Sequence, residues 1–174
     1  MKISRIINNN VVSTCDEEGR EVIVMGRGVG FKAKEGSTID EDKIEKVFRL
    51  DSQNTMDKFK ELLVNLPMEH VQISAEIISY AKEVLNRPIN PNVYITLTDH
   101  INFALERFKQ KMMFSNPLIR EVRSFYHAEY LIGEYAIAMI DRDLGIKLPV
   151  DEAASIALHI VNAEYDAPDR KSVV

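Results

Sequence analysis

The sequence is short of cysteine, tryptophan and long apolar runs, and each shortage excludes a class of protein. Its 174 residues include no tryptophan and one cysteine, Cys15, which excludes a disulfide framework and a cysteine metal cluster. No run of about 18 apolar residues is present, so no transmembrane helix or membrane insertion is predicted. The start, MKISRIINNN, lacks the apolar stretch of a signal peptide. We therefore expect a protein of the reducing cytoplasm.

An excess of positive charge is also missing. The formal net charge is −5, from 22 basic and 27 acidic residues. Even the first 55 residues hold nine lysines and arginines against ten aspartates and glutamates. Bulk charge therefore cannot hold nucleic acid here. A nucleic-acid site in this chain must depend on the placement of a few side chains and on specific contacts.

Familiar catalytic and phosphate-binding motifs are absent as well. The three glycines within residues 26–30 do not form G-x-G-x-x-G, and no G-x-S-x-G or H-E-x-x-H occurs. Asp99 and His100 could form an oriented general base, but a hydrolase of this kind lacks a convincing nucleophile. Two histidines with Asp99 or Glu152 are too few ligands for a metal site. We expect no enzyme activity, no cofactor and no metal.

Composition changes near residue 55, and the part before it is rich in β-forming residues. Four short runs bounded by turn residues predict strands: residues 2–7, 11–14, 21–25 and 44–50. Residues 31–34 are expected to extend the third strand beyond the glycines. The pattern predicts a small four-stranded antiparallel sheet. Because about 55 residues bury little core, such a unit gains stability from dimerisation.

The turn after the third strand is a candidate binding element. Gly26 gives backbone freedom, Arg27 a positive charge and Phe31 an aromatic ring. A hairpin or bulge without any binding function explains the glycines about as well.

A second candidate element is the asparagine run that follows the first strand. Asn8 and Asn10 suit turns, but their amides can also read base edges. Together with Arg5, Arg27 and Phe31, they make a set that fits RNA loops, with amides for hydrogen bonds, arginine for phosphate or guanine and a ring for stacking.

From Asp51 onward the pattern is helical and predicts a bundle. Apolar residues recur at helical spacing in six segments: residues 56–66, 71–85, 92–108, 118–126, 129–144 and 151 onward. Asp151 is expected to be the N-cap of the last helix. The fold class is therefore α+β, with a sheet domain at residues 1–55, a linker and the start of a helix at 56–65, an all-α bundle at 66–170 and a tail at 171–174.

The four histidines fall into two groups. His70 and His127 lie near predicted helix ends among charges and are expected to be solvated. His100 and His159 lie at the borders of apolar helix faces, and an asparagine follows two residues after each. They are either structural histidines or sites of modification, since a phosphate at such a border would repel its neighbours and move an interface.

Several segments, taken in order, resemble the bgl/sac family of bacterial transcriptional antiterminators over nearly the whole chain. The segments are MKISRIINNNVV, VMGRGVGF, IEKVF, TLTDHINFA and DEAASIALHIVNAE. The likeness is strongest to the aryl-β-glucoside (lic-type) and sucrose members of the family.

The resemblance implies that residues 1–55 are a co-antiterminator (CAT) domain. Such domains dimerise and bind an imperfect hairpin in nascent mRNA, which blocks an overlapping terminator and allows transcription of sugar-utilisation genes. The positions that match the family's RNA-contacting residues are Arg5, Asn8, Asn10, Gly26, Arg27 and Phe31.

The resemblance also implies that residues 66–170 are the first phosphotransferase-system regulation domain (PRD). His100 and His159 match its phosphorylatable histidines, and Asp99 matches the acidic neighbour. Phosphorylation by the sugar-specific transporter, when sugar is absent, is expected to switch the protein off by disturbing the dimer. Members normally carry a second PRD, and the sequence ends at Val174 before one, so activation through it is not assigned.

A different class of protein stays open as an alternative. PRDs also occur in DNA-binding activators that the phosphotransferase system regulates. No helix-turn-helix pattern precedes the regulatory segment here, which disfavours that alternative.

Overall fold

The structure is a computed structural model that describes residues 1–112 and 115–165 and divides into two units, Met1–Met68 and Glu69–Val174. The first unit combines a sheet with one α-helix, and the second is helical. This confirms the predicted α+β class. The predicted tail, at residues 171–174, lies outside the described residues.

The sheet of the first unit is antiparallel, with strands in the order β1-β2-β3-β4. Its strands are β1 (Arg5–Asn8), β2 (Val11–Cys15), β3 (Glu21–Met25) and β4 (Lys46–Phe48). Within the described residues this is the four-stranded antiparallel sheet that the sequence predicts. The fourth strand is shorter than the predicted residues 44–50, and a 3₁₀ turn at Glu41–Lys43 precedes it.

Alternating side chains of the sheet pack on two sides. On one face Val12 and Val24 meet Val29 and Ile39 from the segment between β3 and β4. On the other face Phe48 contacts Phe59 of α1 (Gln53–Leu63), with ring centroids 5.0 Å apart.

Helix α1 begins earlier than the sequence predicts. The Ser52 hydroxyl caps it by accepting from the backbone N–H of Thr55 at 3.1 Å. Residues 56–65, predicted as a linker and the start of a helix, therefore lie within or just after a helix that packs on the sheet. The Lys60 ammonium on α1 contacts Glu21 on β3 at 2.9 Å, which ties the two elements together.

The predicted extension of the third strand through residues 31–34 is wrong. Successive turns close this segment, since the N–H of Phe31 donates to Gly28 and that of Ala33 to Gly30. Lys32 also adopts a left-handed backbone with φ of 55°. A chain with these angles cannot continue a β ladder.

The helices of the bundle correspond to the predicted segments, with ends that differ by a few residues. They are α2 (Met68–Leu85), α3 (Val93–Lys109), α4 (Ile119–Phe125), α5 (His127–Leu144) and α6 (Asp151–Tyr165). Gly145 ends α5 in the left-handed region with φ of 68°. No helix in the described part of the chain is long and apolar enough to span a membrane.

Close packing of α5 on α6 forms much of the second unit's core. Gly133 is buried, and a Cβ there would collide with the backbone oxygen of Ala153. Small side chains such as Ala153 and Ala157 let the helices approach, with Val122 and Tyr130 packed around them. This contact fixes the position of α6, which carries His159.

The expectation that Asp151 is an N-cap is wrong. Asp151 is the first residue of α6, and its carboxylate accepts from the backbone N–H of Asn116 at 2.7 Å. The acidic side chain therefore fastens the loop before α4 rather than its own helix.

Candidate RNA interface and histidine cluster

Two loops at one end of the sheet are joined by backbone hydrogen bonds. We call residues 8–10 and 26–31 the loop pair. The N–H of Gly26 donates to the carbonyl of Asn10 at 2.9 Å, and that of Gly30 donates to Asn9 at 2.8 Å. The two candidate binding elements that the sequence indicates are therefore brought together.

The asparagine side chains hold the loop pair in place. The Asn10 side-chain oxygen accepts from the N–H of Gly28 at 2.8 Å, and the Asn8 oxygen accepts from the N–H of Asn10 at 2.8 Å. The Asn8 amide donates to the carbonyl of Leu63 at 3.1 Å. Both amides thus use at least part of their hydrogen-bonding capacity inside the protein.

The glycines of the loop pair are required by close contacts. A Cβ at Gly26 would collide with the backbone oxygen of Lys43, and one at Gly30 with that of Asn8. Gly28 has open space but a φ of +75°. Gly26 itself is buried, so its structural part is to let two backbone segments meet.

Cationic and aromatic side chains project from this rigid frame. Phe31 is 55% exposed, and the Lys32 ammonium lies 5.3 Å from its ring centroid. Arg27 is exposed, and its backbone N–H donates to a Glu45 carboxylate oxygen at 2.7 Å. The backbone under Arg27 is therefore fixed while its side chain faces solvent.

Arg5 lies apart from these residues. It begins β1, about 10 Å along the strand from Asn8. It lines a groove of about 600 Å³ between β1 and α1, together with Ile7 and Lys60. The structure does not bring Arg5 into the loop pair.

In the second unit, His100 and His159 face each other across α3 and α6. Their ring centroids are 4.7 Å apart. The His100 Nε2 lies 3.0 Å from one oxygen of Glu152, and Arg107 Nη2 lies 3.0 Å from the other. Glu152 is only 6% exposed. We call these four residues the histidine cluster.

The surroundings of His159 disfavour a positive charge on its ring. Burial lowers its pKa to about 4, and the charge of His100 acts in the same direction, although Asp99 and Glu152 oppose the shift. The ring is therefore neutral at physiological pH. It borders a pocket of about 330 Å³ whose other polar lining residues are Asn90, Asn92, Thr96 and Asn162.

The expectation that His70 is solvated is wrong. Its side chain is buried, 4% exposed, and its Nδ1 lies 2.7 Å from the side-chain oxygen of Asn102. Because α2 begins at Met68, His70 faces α3 from the first turn of the helix. His127 is exposed, as expected. Across the described residues, no group of three or more histidine, cysteine or acidic side chains is placed to hold a metal.

Two parts of the chain match known protein families. Residues 1–57 match the CAT RNA binding domain family, and residues 75–163 match the PRD domain family. The chain belongs to the bgl/sac antiterminator family.

Individual relatives and one solved structure agree with this family. The chain is 49% identical over 166 residues to the transcription antiterminator LicT of Bacillus subtilis, covering 95% of this chain and 60% of LicT. It is 45% identical to the beta-glucoside operon antiterminator of Dickeya chrysanthemi, over 96% of this chain and 59% of the relative. The crystal structure of GlcT CAT-PRDI matches with a TM-score of 0.82 and 34% identity, over 95% of this chain and 98% of that one. The chain thus spans about 60% of the length of these two sequence relatives.

Single sequence motifs do not show that Arg107 and Glu152 belong to the histidine cluster of this bgl/sac chain. His100 and Arg107 are seven residues apart on α3, as are Glu152 and His159 on α6. Seven residues are two helical turns, so each pair shares a helix face. Asp99, the acidic neighbour that the sequence singles out, is exposed, and the carboxylate that contacts His100 is that of Glu152. The repeated spacing was the available signal for Arg107 and Glu152.

Proposed function

We propose that this chain is an RNA-binding antiterminator that acts in the cytoplasm. As a dimer it stabilises a hairpin in nascent mRNA of sugar-utilisation genes, so that transcription passes the terminator. The observation that carries the proposal is the loop pair, which presents Arg27 and Phe31 on a hydrogen-bonded frame. This frame lies in the unit that matches the CAT RNA binding domain.

The chemistry of the loop pair suits unpaired RNA. An exposed ring such as Phe31 can stack on a base, and the cations Arg27 and Lys32 can pair with phosphate or a guanine edge. Asn8 and Asn10 keep the loops in position and leave part of each amide for base contacts. Arg5 would contact RNA only if the hairpin extends along β1. The low overall charge fits recognition by contacts rather than by bulk attraction.

The alternative function, a DNA-binding activator, has less support. The first unit is built on an antiparallel sheet with one α-helix in its described residues, whereas a helix-turn-helix reads DNA with the second of two adjacent helices.

We further propose that phosphorylation of His100 and His159 controls RNA binding. The donor is the phosphorylated sugar-specific transporter of the phosphotransferase system. A phosphoryl group adds a charge of roughly −1.5 to −2 beside Glu152, which is buried. The repulsion would loosen the contact between α3 and α6 and disturb an interface that this bundle makes.

Dimerisation is part of this proposal and has its own physical support. The first unit is small, so it gains stability by burying more surface. In the second unit Phe103 is 58% exposed and Phe125 is 78% exposed. Large exposed rings of this kind are favoured in protein interfaces.

The RNA site is tested by Arg27→Ala and Phe31→Ala, measured by titration against an antiterminator hairpin. Each variant should weaken binding by about tenfold or more, since loss of one base stack costs roughly 1–3 kcal/mol. The control is Arg20→Ala, which removes an exposed arginine at the opposite end of the β2–β3 hairpin. Parental affinity in both test variants, or an equal loss in the control, would contradict the assignment.

The regulatory half is tested by His100→Asp, which introduces one negative charge as a partial mimic of phosphate. We expect weaker dimerisation in sedimentation and reduced antitermination in a reporter strain. His127→Asp is the matched control, because His127 is exposed and outside the histidine cluster. A His100→Asp protein that equals the parent in both assays would count against control through this histidine.

A further inference from the structure

The contacts of Glu152 determine which nitrogen of His100 carries the proton. One carboxylate oxygen of Glu152 accepts from Arg107 Nη2 at 3.0 Å, and the other lies 3.0 Å from His100 Nε2. A carboxylate that pairs with a guanidinium accepts hydrogen bonds through its oxygens and has no hydrogen to donate to the imidazole. The Nε2 atom must therefore be the donor and carry a hydrogen. In a neutral imidazole this leaves the lone pair on Nδ1.

We propose that Glu152 is a positioning residue that orients His100 so that Nδ1, and not Nε2, accepts the phosphoryl group. The inference rests on the proposed phosphorylation of His100 and goes further by naming the accepting atom. Arg107 has a supporting part, since it fixes the Glu152 carboxylate from the side opposite the imidazole. Catalytic and metal-binding histidines are often oriented in the same way, by a carboxylate that accepts a hydrogen bond from one ring nitrogen.

The transfer balances without moving a proton. The Nδ1 lone pair attacks the phosphorus of the donor's phosphorylated side chain and forms an N–P bond. The bond between phosphorus and the donor atom breaks, and its electron pair stays with the donor. The product is a phosphoimidazolium that keeps its hydrogen on Nε2. Its ring carries a positive charge, and the Glu152 carboxylate at 3.0 Å stabilises that charge.

The surroundings of the two histidines favour His100 for this role. Within the described residues no carboxylate hydrogen-bonds to the His159 ring, whereas Glu152 contacts His100 directly. The His100 side chain is partly accessible, at 18% exposure, so a donor can reach it without unfolding α3. The Nδ1 lone pair and the Nε2–H bond point in different directions from the ring. A phosphoryl group on Nδ1 therefore leaves the contact between Nε2 and Glu152 intact while it adds negative charge to the cluster, whereas one on Nε2 would have to displace Glu152 from the ring.

The first test is made on the unsubstituted chain, and one variant serves only to assign the spectrum. The 174-residue chain is labelled with ¹⁵N-histidine, His100 is assigned with a His100→Gln variant, and long-range ¹H–¹⁵N spectra show which nitrogen carries hydrogen. We expect the Nε2–H form. The chain is then phosphorylated with phosphoramidate and, separately, with a phosphorylated transporter domain, and ³¹P–¹⁵N coupling identifies the bonded nitrogen. We expect phosphate on Nδ1.

The possible results separate the inference about the accepting nitrogen from the proposed control by phosphorylation. Phosphate on Nε2 of His100, or hydrogen on Nδ1 of the unmodified ring, overturns the inference and leaves the proposed control of the protein in place. Absence of phosphate from His100 with both donors contradicts the proposed control as well as the inference.

The second test is Glu152→Gln, which keeps the side-chain size but leaves one oxygen for two donors. Arg107 cannot accept a hydrogen bond, so the glutamine oxygen should face Arg107 and its NH₂ should face His100. We expect the His100 hydrogen to move to Nδ1, with phosphorylation at that atom slowed by at least about tenfold. The control is Glu164→Gln, another buried glutamate of α6, which pairs with Arg87. An unchanged tautomer and rate in Glu152→Gln, or equal effects in both variants, would overturn the positioning role.

Discussion

The loop pair and the histidine cluster differ in where their charged groups lie. In the loop pair the frame consists mostly of neutral groups, namely backbone amides and the side chains of Asn8 and Asn10, and its charged groups, such as Arg27 and the Glu45 carboxylate that accepts from the Arg27 N–H, lie at the exposed rim. In the histidine cluster the carboxylate of Glu152 is buried and pairs with half-buried Arg107, and the neighbouring His159 is held neutral. A binding surface needs a frame that no change of charge disturbs. A switch needs charges at a place where one more charge is costly.

The difference has an energetic basis. Exposed ion pairs contribute about 0–1 kcal/mol, because water screens them. Breaking a buried pair by removing one partner costs about 3–5 kcal/mol, because the other charge stays without compensation. Three substitutions test whether the two regions differ in this way, from the largest expected effect to the smallest.

Arg107→Ala should have the largest effect on stability. It removes the cation paired with buried Glu152, and we expect the free energy of unfolding to fall by about 3–4 kcal/mol. Arg142→Ala is the control, since Arg142 pairs with Asp143 at the surface, where solvent screens the charges, and its loss should leave the free energy of unfolding nearly unchanged. Urea unfolding followed by circular dichroism measures both. Similar losses for the two arginines would remove the distinction between buried and exposed charges.

Gly26→Ala should break the loop pair without any change of charge. The new Cβ meets the backbone oxygen of Lys43, and we expect a loss of about 2–3 kcal/mol in stability, since such overpacking forces the backbone to shift. RNA affinity should fall with it. Gly19→Ala is the control. A Cβ at Gly19 meets open space, so only the φ of +78° disfavours alanine, and we expect the free energy of unfolding to fall by about 1 kcal/mol. A Gly26→Ala protein as stable as the parent would show that the backbone of the loop pair can shift without loss of stability, which would contradict the prediction.

The smallest expected effect is the pH dependence of His159. Its pKa is lowered from 6.5 to about 4 in the folded state, so the unfolded chain binds more protons between those values. Stability is therefore retained above pH 6.5 and lost as pH falls toward 4. Because the ring is partly exposed, we expect about 1–2 kcal/mol rather than the full value of the shift.

The measurement compares urea unfolding at pH 7.5 and pH 5.0 for the parent and for His159→Gln. The parent should lose more stability than the variant on acidification. Equal losses in the two proteins would mean that His159 is not held neutral by burial.

Local pattern was enough to predict much of this molecule. A run of consecutive β-branched residues predicted the strand around Ile23, and three- and four-residue spacing of apolar residues predicted helices such as α3. The sequence placed the asparagine turn and the glycine turn in the same small sheet, whereas the hydrogen bonds that join them are seen only in the structure. In the segment of Phe31, turn geometry at Gly28 and Gly30 prevailed over strand propensity.

The contacts of the histidines could not be predicted in the same way. Periodicity assigns His70 and Glu152 to faces of their helices but does not say which helix lies opposite. The bond from His70 to Asn102 and that from His100 to Glu152 join residues 32 and 52 positions apart. Such pairings depend on how the helices pack, for example on the close approach that Gly133 allows between α5 and α6.

The central claim is that the loop pair recognises RNA by specific contacts. The most direct test is a titration of the chain against a hairpin of about 30 nucleotides, and against duplex DNA of the same sequence, at two salt concentrations. We predict tight binding to the RNA hairpin alone, with a modest loss at the higher salt. Equal affinity for RNA and DNA, or affinity that disappears at the higher salt, would contradict the account.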